Sequence, residues 1–376
     1  MSAQLKDPSD LLKLRGPAEV IALGLNAPAY KPTDIGQSAG EHTDESVVDE
    51  NATWRNALNG SVVSGSDFRT IDIPVRPKLL GEWFREADLG FIFAPRGVGK
   101  TWFAMDMACR LSTGGKMGEW DAPHPVRILY ADGEMPLDLL QDRYRGLCDT
   151  DGCFHLLSHQ DLSDKFGLAL NITNPVLQAE LTAYCVRESI KVLFLDNLST
   201  LATGMAENDS DDWEKVNPWL LTMRRLGIAV VIVHHAGRNG ELRGTSRRED
   251  NVFWIISLVD ANDSSADPRG ARFVSRFTKK RNTQESIPAI QWHYQTDDLT
   301  GEVRRSFKVA DNLEVLCQMI GDGITGCSEL AEEMGISKGQ VSKLATRAIK
   351  AGRVRKDRKE YALVIGAEGG NEVPPK

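Results

Sequence analysis

The sequence predicts an α/β fold: a mostly parallel sheet between helices, followed by a small helical module with a two-stranded hairpin. Three observations predict it. Short apolar runs at residues 91–93, 127–131, 192–195 and 229–233 alternate with helix-period stretches at 102–111, 137–147, 175–188 and 212–226, the order that buries a parallel sheet between helices. The first run opens into a glycine-bearing loop and then a helix. Beyond residue 310 the pattern changes to three short helices and a basic hairpin.

The 376 residues leave room for one large domain and smaller pieces. With 41% hydrophobic and 26% charged residues the composition is that of an ordinary soluble globular protein. No apolar run reaches membrane-spanning length, so no membrane partner is expected. Six cysteines at 109, 148, 153, 185, 317 and 327 form no CxxC pair. That spacing argues against a disulfide framework or a zinc site and suits a reducing, cytoplasmic location. A net charge of −8 does not announce nucleic-acid binding, although a local basic patch is compatible with it.

Residues 1–30 form an N-terminal arm. Lys6-Asp7-Pro8-Ser9-Asp10-Leu11-Leu12 and the later Gly16-Pro17 resemble the C-terminal edge of a Toprim primase domain, with residues 17–27 as its last helix. A capped helix on a mobile arm explains the same residues. The acidic metal-binding motifs of a Toprim domain are absent, so primase activity is not carried over. Residues 31–73 read as an acidic, disordered linker, because no Lys or Arg falls between Lys31 and Arg55. From residue 74 the chain leads into the core, with Trp83 and Phe84 expected beneath the sheet.

The loop at Ala94-Pro95-Arg96-Gly97-Val98-Gly99-Lys100-Thr101, followed by Trp102, has Walker A spacing on a strand–loop–helix. Its backbone N–H groups and the helix N-terminus suit a phosphate chain. Gly97 and Gly99 permit positive φ, Lys100 reaches the β/γ-phosphates of ATP, and Thr101 holds Mg²⁺. Ala94 replaces the usual first glycine. Pro95 holds Ala94 extended, where a Cβ is harmless.

Residues 191–196 form an apolar strand ending in Asp196, a Walker B pattern whose carboxylate serves the Mg²⁺ shell. The strand at 127–131 ends in Asp132-Gly133-Glu134-Met135-Pro136, where either carboxylate is placed to orient an attacking water. These motifs together resemble the RecA-like P-loop ATPases of phage and plasmid replication, in particular the RepA-like hexameric helicases and the helicase halves of Toprim primase-helicases. The resemblance covers roughly residues 75–300 and implies a RecA-like core over residues 74–305. It makes Glu134 the catalytic base.

The same resemblance places a polar γ-phosphate sensor at the end of the strand ending His234-His235, with His235 the first choice. It implies that the loop at 237–250 leads toward single-stranded DNA, with Arg238, Arg243, Arg247 and Arg248 as phosphate contacts. Lys279-Lys280-Arg281-Asn282 resembles a ring-helicase motif whose Lys279 and Arg281 enter the neighbouring subunit's nucleotide site. A homo-oligomer, most simply a hexamer, and an in-trans primase are the implied protein partners. Strand candidates at 253–259, 272–277 and 289–294 lack intervening helices and suggest an antiparallel extension of the sheet.

Residues 311–365 resemble winged-helix DNA-binding domains, with helices at 312–320, 327–334 and 338–351 and a wing at 353–355 and 361–364. Nine Lys/Arg face two acidic residues between Lys338 and Glu360. Val341, Leu344, Ala345 and Ile349 are expected inside, and Lys338, Gln340, Lys343 and Arg347 outside with Arg355 of the wing, as contacts to duplex DNA. Residues 366–376 read as a loose tail. The implied activity is an ATP-dependent, ring-forming replicative DNA helicase. A RecA-like ATPase that loads, recombines or regulates without unwinding, or an ATP-switched DNA-binding regulator, fits the same motifs.

Overall fold

A computed structural model describes residues 50–148, 153–203, 213–235, 251–261, 270–297, 300–321, 323–334 and 336–364. The N-terminal arm, the linker before residue 50, the four arginines of the 237–250 loop and the tail from 366 lie outside the described residues. Residues 50–76 belong to a unit of their own. It contains helix α1 (Glu50–Ser61) and the single turn α2 (Gly65–Phe68). The linker expectation therefore fails over its second half. Ala52, Arg55, Ala57 and Leu58 are good helix formers, and averaging them with the Ser/Asp/Glu-rich stretch before them hid their preference.

The larger unit is built on a nine-stranded sheet. Its strands are β3 (Leu89–Ala94), β6 (Ile128–Asp132), β7 (Phe154–Ser158), β8 (Val192–Asp196), β9 (Ala229–His235), β10 (Trp254–Asp260), β11 (Ala271–Lys280), β12 (Ile290–Thr296) and β13 (Val303–Val309). Their order is β13-β12-β11-β10-β3-β9-β8-β6-β7. From β10 to β7 every pair is parallel, and from β10 to β13 every pair is antiparallel. The expected extension is thus present, and it continues through β13. The ATPase boundary expected at residue 305 falls inside that strand and moves to its end.

Alternation along the strands splits the core into two layers. Val192 and Phe194 of β8 face the layer under helix α3 (Lys100–Thr113), while Leu193 and Leu195 face the other. Helices α4 (Leu137–Leu147), α5 (His159–Phe166), α6 (Pro175–Arg187), the turn α7 (Leu198–Leu201) and α8 (Asn217–Arg225) complete the sandwich. Helix α8 starts later than residue 212 because Pro218 occupies its first turn, where a missing N–H costs nothing.

At the N-terminal end of β3 lie the small ribbons β1–β2 (Lys78–Leu80, Phe84–Arg85) and β4–β5 (Gly115–Met117, Trp120–Ala122). Trp83 and Phe84 are buried there, edge-on to Trp254 at 4.9 and 5.0 Å between ring centroids. Gly90 is required at this point, since a Cβ would lie 2.1 Å from the Trp254 ring.

Asp106 of α3 carries a second, polar tie. It is 2% exposed and accepts from the Tyr294 hydroxyl (3.0 Å) and Arg305 Nη1 (2.6 Å), with Arg110 Nε at 3.6 Å. The helix that begins at Lys100 is therefore bonded to β12 and β13.

The C-terminal module consists of α9 (Asn312–Gly321), α10 (Cys327–Glu333), α11 (Lys338–Lys350) and the hairpin β14–β15 (Val354–Asp357, Glu360–Leu363). Gly326 bridges to Glu360, and the Tyr361 N–H donates to Thr325 O (2.9 Å). Ser337 and Gln340 form a reciprocal capping box that starts α11. Val341, Leu344, Ala345 and Ala348 are buried, whereas Ile349 is 39% exposed. The expectation for Ile349 is corrected: the inward stripe runs i, i+3, i+4, i+7 from Val341, and Ile349 falls one position beyond it. The module's core also includes Val274 of β11, with Ala261 and Ala289 packed against it. It is continuous with the sheet.

Candidate nucleotide site

β3, β6, β8 and β9 end on the same edge of the sheet, with Ala94 level with His235 and Asp132 level with Asp196. Ala94 closes β3 in extended conformation, as Pro95 requires. The loop then turns through Gly97 at φ 81° and Gly99 at φ 115°. Gly99 is the N-cap of α3 and, as glycine, offers no side chain to the helix's first N–H groups. Such an end favours an anion. A side chain at Gly99 is barred twice over, by its φ and by Ala271 Cβ and the Phe273 ring 2.8 Å from any Cβ. The first residues of β11 thus back the loop.

A cavity of about 490 Å³ opens at this edge, and Lys100, Thr101, Glu134, Asp196 and His235 all line it. Arg96, Gly97, Gly99 and Trp102 line it too. Val98 is 3% exposed and turned into the core. Lys100 Nζ donates to Ala94 O (3.1 Å) and Pro95 O (2.9 Å). Burial lowers its pKa from 10.5 to about 8, partly offset by Asp196 and Glu134. Asp196, 2% exposed, accepts from the Tyr130 hydroxyl (2.6 Å) and from the Thr101 side chain. Burial raises its pKa despite those bonds. Thr101 and Asp196 are thus already together, the oxygen pair that a Mg²⁺ ion and its waters take.

Asp132 and Glu134 separate in role. Asp132 is 1% exposed, and its Oδ1 accepts the N–H groups of Glu134 (3.0 Å) and Met135 (2.8 Å). Burial, then the Asp196 charge, pushes its pKa up to about 7. It shapes the turn. Glu134 projects from that turn into the cavity, with His235 Nε2 3.9 Å from its Oε2. His234, on the other face of β9, is buried and does not line the cavity.

Sequence reasoning missed several lining residues. Arg143 lies nine positions after Glu134 on α4, with its guanidinium 4.8 Å from the Trp102 ring centroid and Nη1 3.1 Å from Met135 Sδ. Asn197, Met135, Pro136, Leu139 and Gly270 complete the wall. A lone arginine in an amphipathic helix gives no local signal.

Lys279 and Arg281 do not line the cavity. β11 starts beside Gly99 and ends at Lys280, and the Arg281 N–H donates to Phe253 O (2.8 Å) at the start of β10. Both residues are at the opposite end of the sheet. In the C-terminal module Lys338, Lys343, Arg347 and Arg355 are exposed. Gln340 is exposed as well, with its Oε1 accepting from Ser337 N (2.9 Å) and Ser337 Oγ (3.1 Å) in the capping box.

Residues 58–241 match the family model of the AAA domain, a span that holds β3, α3, β6, β8 and β9. That span is therefore similar to an AAA domain, and it includes the phosphate loop and the strands that end at the cavity. A KaiC-like protein from the hyperthermophilic archaeon Pyrococcus horikoshii OT3 aligns with a TM-score of 0.42 and 15% identity, over 62% of this chain and 99% of that one. No curated protein matches. Among the described residues no helix is long and apolar enough to cross a membrane.

The lowered Lys100 pKa makes a prediction about this candidate nucleotide site. A bound triphosphate favours the ammonium form, so nucleotide binding above pH 8 must first restore a proton. Affinity for ATP is expected to be flat below pH 8 and to fall up to about tenfold per pH unit above it, measured by titration calorimetry from pH 6.5 to 9.5. For the unliganded fold the sign is opposite. The unfolded lysine keeps a proton up to its ordinary 10.5, so this residue's cost to stability is full below pH 8 and is relieved as pH rises from about 8 to 10.5.

Proposed function

We propose that the protein is an ATP-driven DNA motor: a ring-forming replicative helicase of a phage, plasmid or other mobile element that moves on single-stranded DNA. The observation that carries it is the cavity in which Lys100, Thr101, Glu134, Asp196 and His235 meet. Lys100 and the loop N–H groups hold the β/γ-phosphates, and Thr101 and Asp196 hold Mg²⁺, which offsets phosphate charge when bound. Glu134 takes the proton of the attacking water. His235 reads the γ-phosphate. In this reading Lys279 and Arg281, which do not line their own chain's cavity, act in the site of a neighbouring copy, and the working form is a homo-oligomer, most simply a hexamer. An in-trans primase and a cytoplasmic setting belong to the same reading.

The C-terminal module is a winged helix that binds duplex DNA through α11 and the β14–β15 hairpin. Its support is the exposed basic face of Lys338, Lys343, Arg347 and Arg355 on a capped helix. One observation favours the second reading, an ATPase that loads or regulates on duplex DNA without unwinding. The module's core is shared with β11, which would tie duplex binding to the ATPase fold.

ATP turnover with and without single-stranded DNA, run beside a strand-displacement assay, separates these. Stimulated turnover with displacement is the expected result, and stimulation without displacement selects the second reading. Replacing Lys343 and Arg347 by glutamate should weaken duplex binding and flatten its salt dependence, measured by fluorescence anisotropy. Unchanged binding would remove the module from the DNA interface.

A further inference from the structure

We propose that Asn197 is the positioning residue for Glu134. It fixes the carboxylate that receives the water's proton, through an amide whose orientation is set by the helix turn it caps. The inference rests on the role proposed for Glu134.

Asn197 follows Asp196 directly and is 2% exposed. Its Oδ1 accepts from the Thr200 N–H (3.3 Å) and hydroxyl (3.4 Å), which makes it the N-cap of α7. A carboxamide that gives its oxygen to a cap has only its NH₂ to offer elsewhere. That NH₂ donates to Glu134 Oε2. The local chain leaves the amide one useful orientation.

Two further contacts hold the partners in reach of each other. The Gly133 N–H donates to Asp196 O (2.7 Å) and joins the turn after β6 to the end of β8. Gly133 also packs against α7 so closely that a Cβ would lie 2.5 Å from Thr200 Oγ1. Glu134 itself is 57% exposed at its side chain. Without a bond at Oε2 such a chain samples several rotamers. The amide ties Oε2 down and leaves Oε1 for a water.

The test uses Asn197→Ser and Asn197→Asp in the full-length chain. Both residues cap helices about as well as asparagine, so α7 is kept. Neither offers an N–H to Glu134, and aspartate sets a second carboxylate against it. Turnover of Asn197→Ser should fall on the order of 10²-fold, the scale of a misplaced catalytic group. Its ATP affinity and melting temperature should stay near wild type. Asn197→Asp should be slower still. In single-turnover measurements on a Glu134→Gln background, Asn197→Ser should add no further loss, because it acts only through Glu134. Wild-type turnover in Asn197→Ser, or an equal loss in the Glu134→Gln background, overturns the proposal. If Glu134→Gln alone hydrolyses ATP normally, it is the reading of Glu134 as base that fails. If Glu134→Gln is inactive while Asn197→Ser is fully active, only the positioning role fails.

Discussion

Glu134→Gln should bind ATP within a few-fold of the wild-type protein and hydrolyse it about 10²–10⁴-fold more slowly, the range that a general base contributes. The substitution keeps the size of the side chain and one oxygen, and removes the basic lone pairs. The loss should therefore appear in kcat with little change in KM. Asp132→Asn is the decisive comparison. Asp132 Oδ1 holds the Glu134 and Met135 N–H groups, and asparagine can hold them as well. Asp132→Asn should retain most turnover. If the two variants exchange phenotypes in a coupled ATPase assay, Asp132 is the base.

Asp106→Ala should cost the fold about 3–5 kcal/mol, the penalty for breaking a buried ion pair from one side. The carboxylate takes the Tyr294 hydroxyl and Arg305, with Arg110 close by. Its removal strands those donors beneath the sheet. Asp106→Asn keeps an acceptor and should cost less. Chemical denaturation of the purified variants measures both, and a midpoint for Asp106→Ala equal to that of the wild type would refute the account. Because α3 begins at Lys100, the variant should also bind ATP less tightly at temperatures where it is still folded.

Much of this architecture was legible because its signals are local. Strands buried on both faces, such as β3, β8 and β9, read as apolar runs, and Ser337 and Gln340 announce the start of α11. Elements governed by distant contacts were not legible. In β13, Arg304, Arg305 and Lys308 interrupt any alternation, and the strand exists because β12 pairs with it along its length. β7 is short and lies at the other edge of the sheet. In the site, Lys100, Thr101 and Asp196 followed from motif spacing. Asn197 and Arg143 did not, since their importance comes from which neighbours the fold delivers. Ile349 was misplaced for a smaller reason, a helical phase.

Val274 of β11 belongs to the core of the C-terminal module, and two residues earlier on the strand, Arg272 lines a cavity of about 570 Å³ between that module and the sheet. At its first residues the same strand backs Gly99 of the phosphate loop. A single piece of extended chain therefore has the nucleotide loop at one point and the basic module a few residues on. Extended chain is stiff along its length, so a load applied to the module is borne by the strand that abuts the phosphate loop. Heating should melt the module and the nine-stranded core as one cooperative unit.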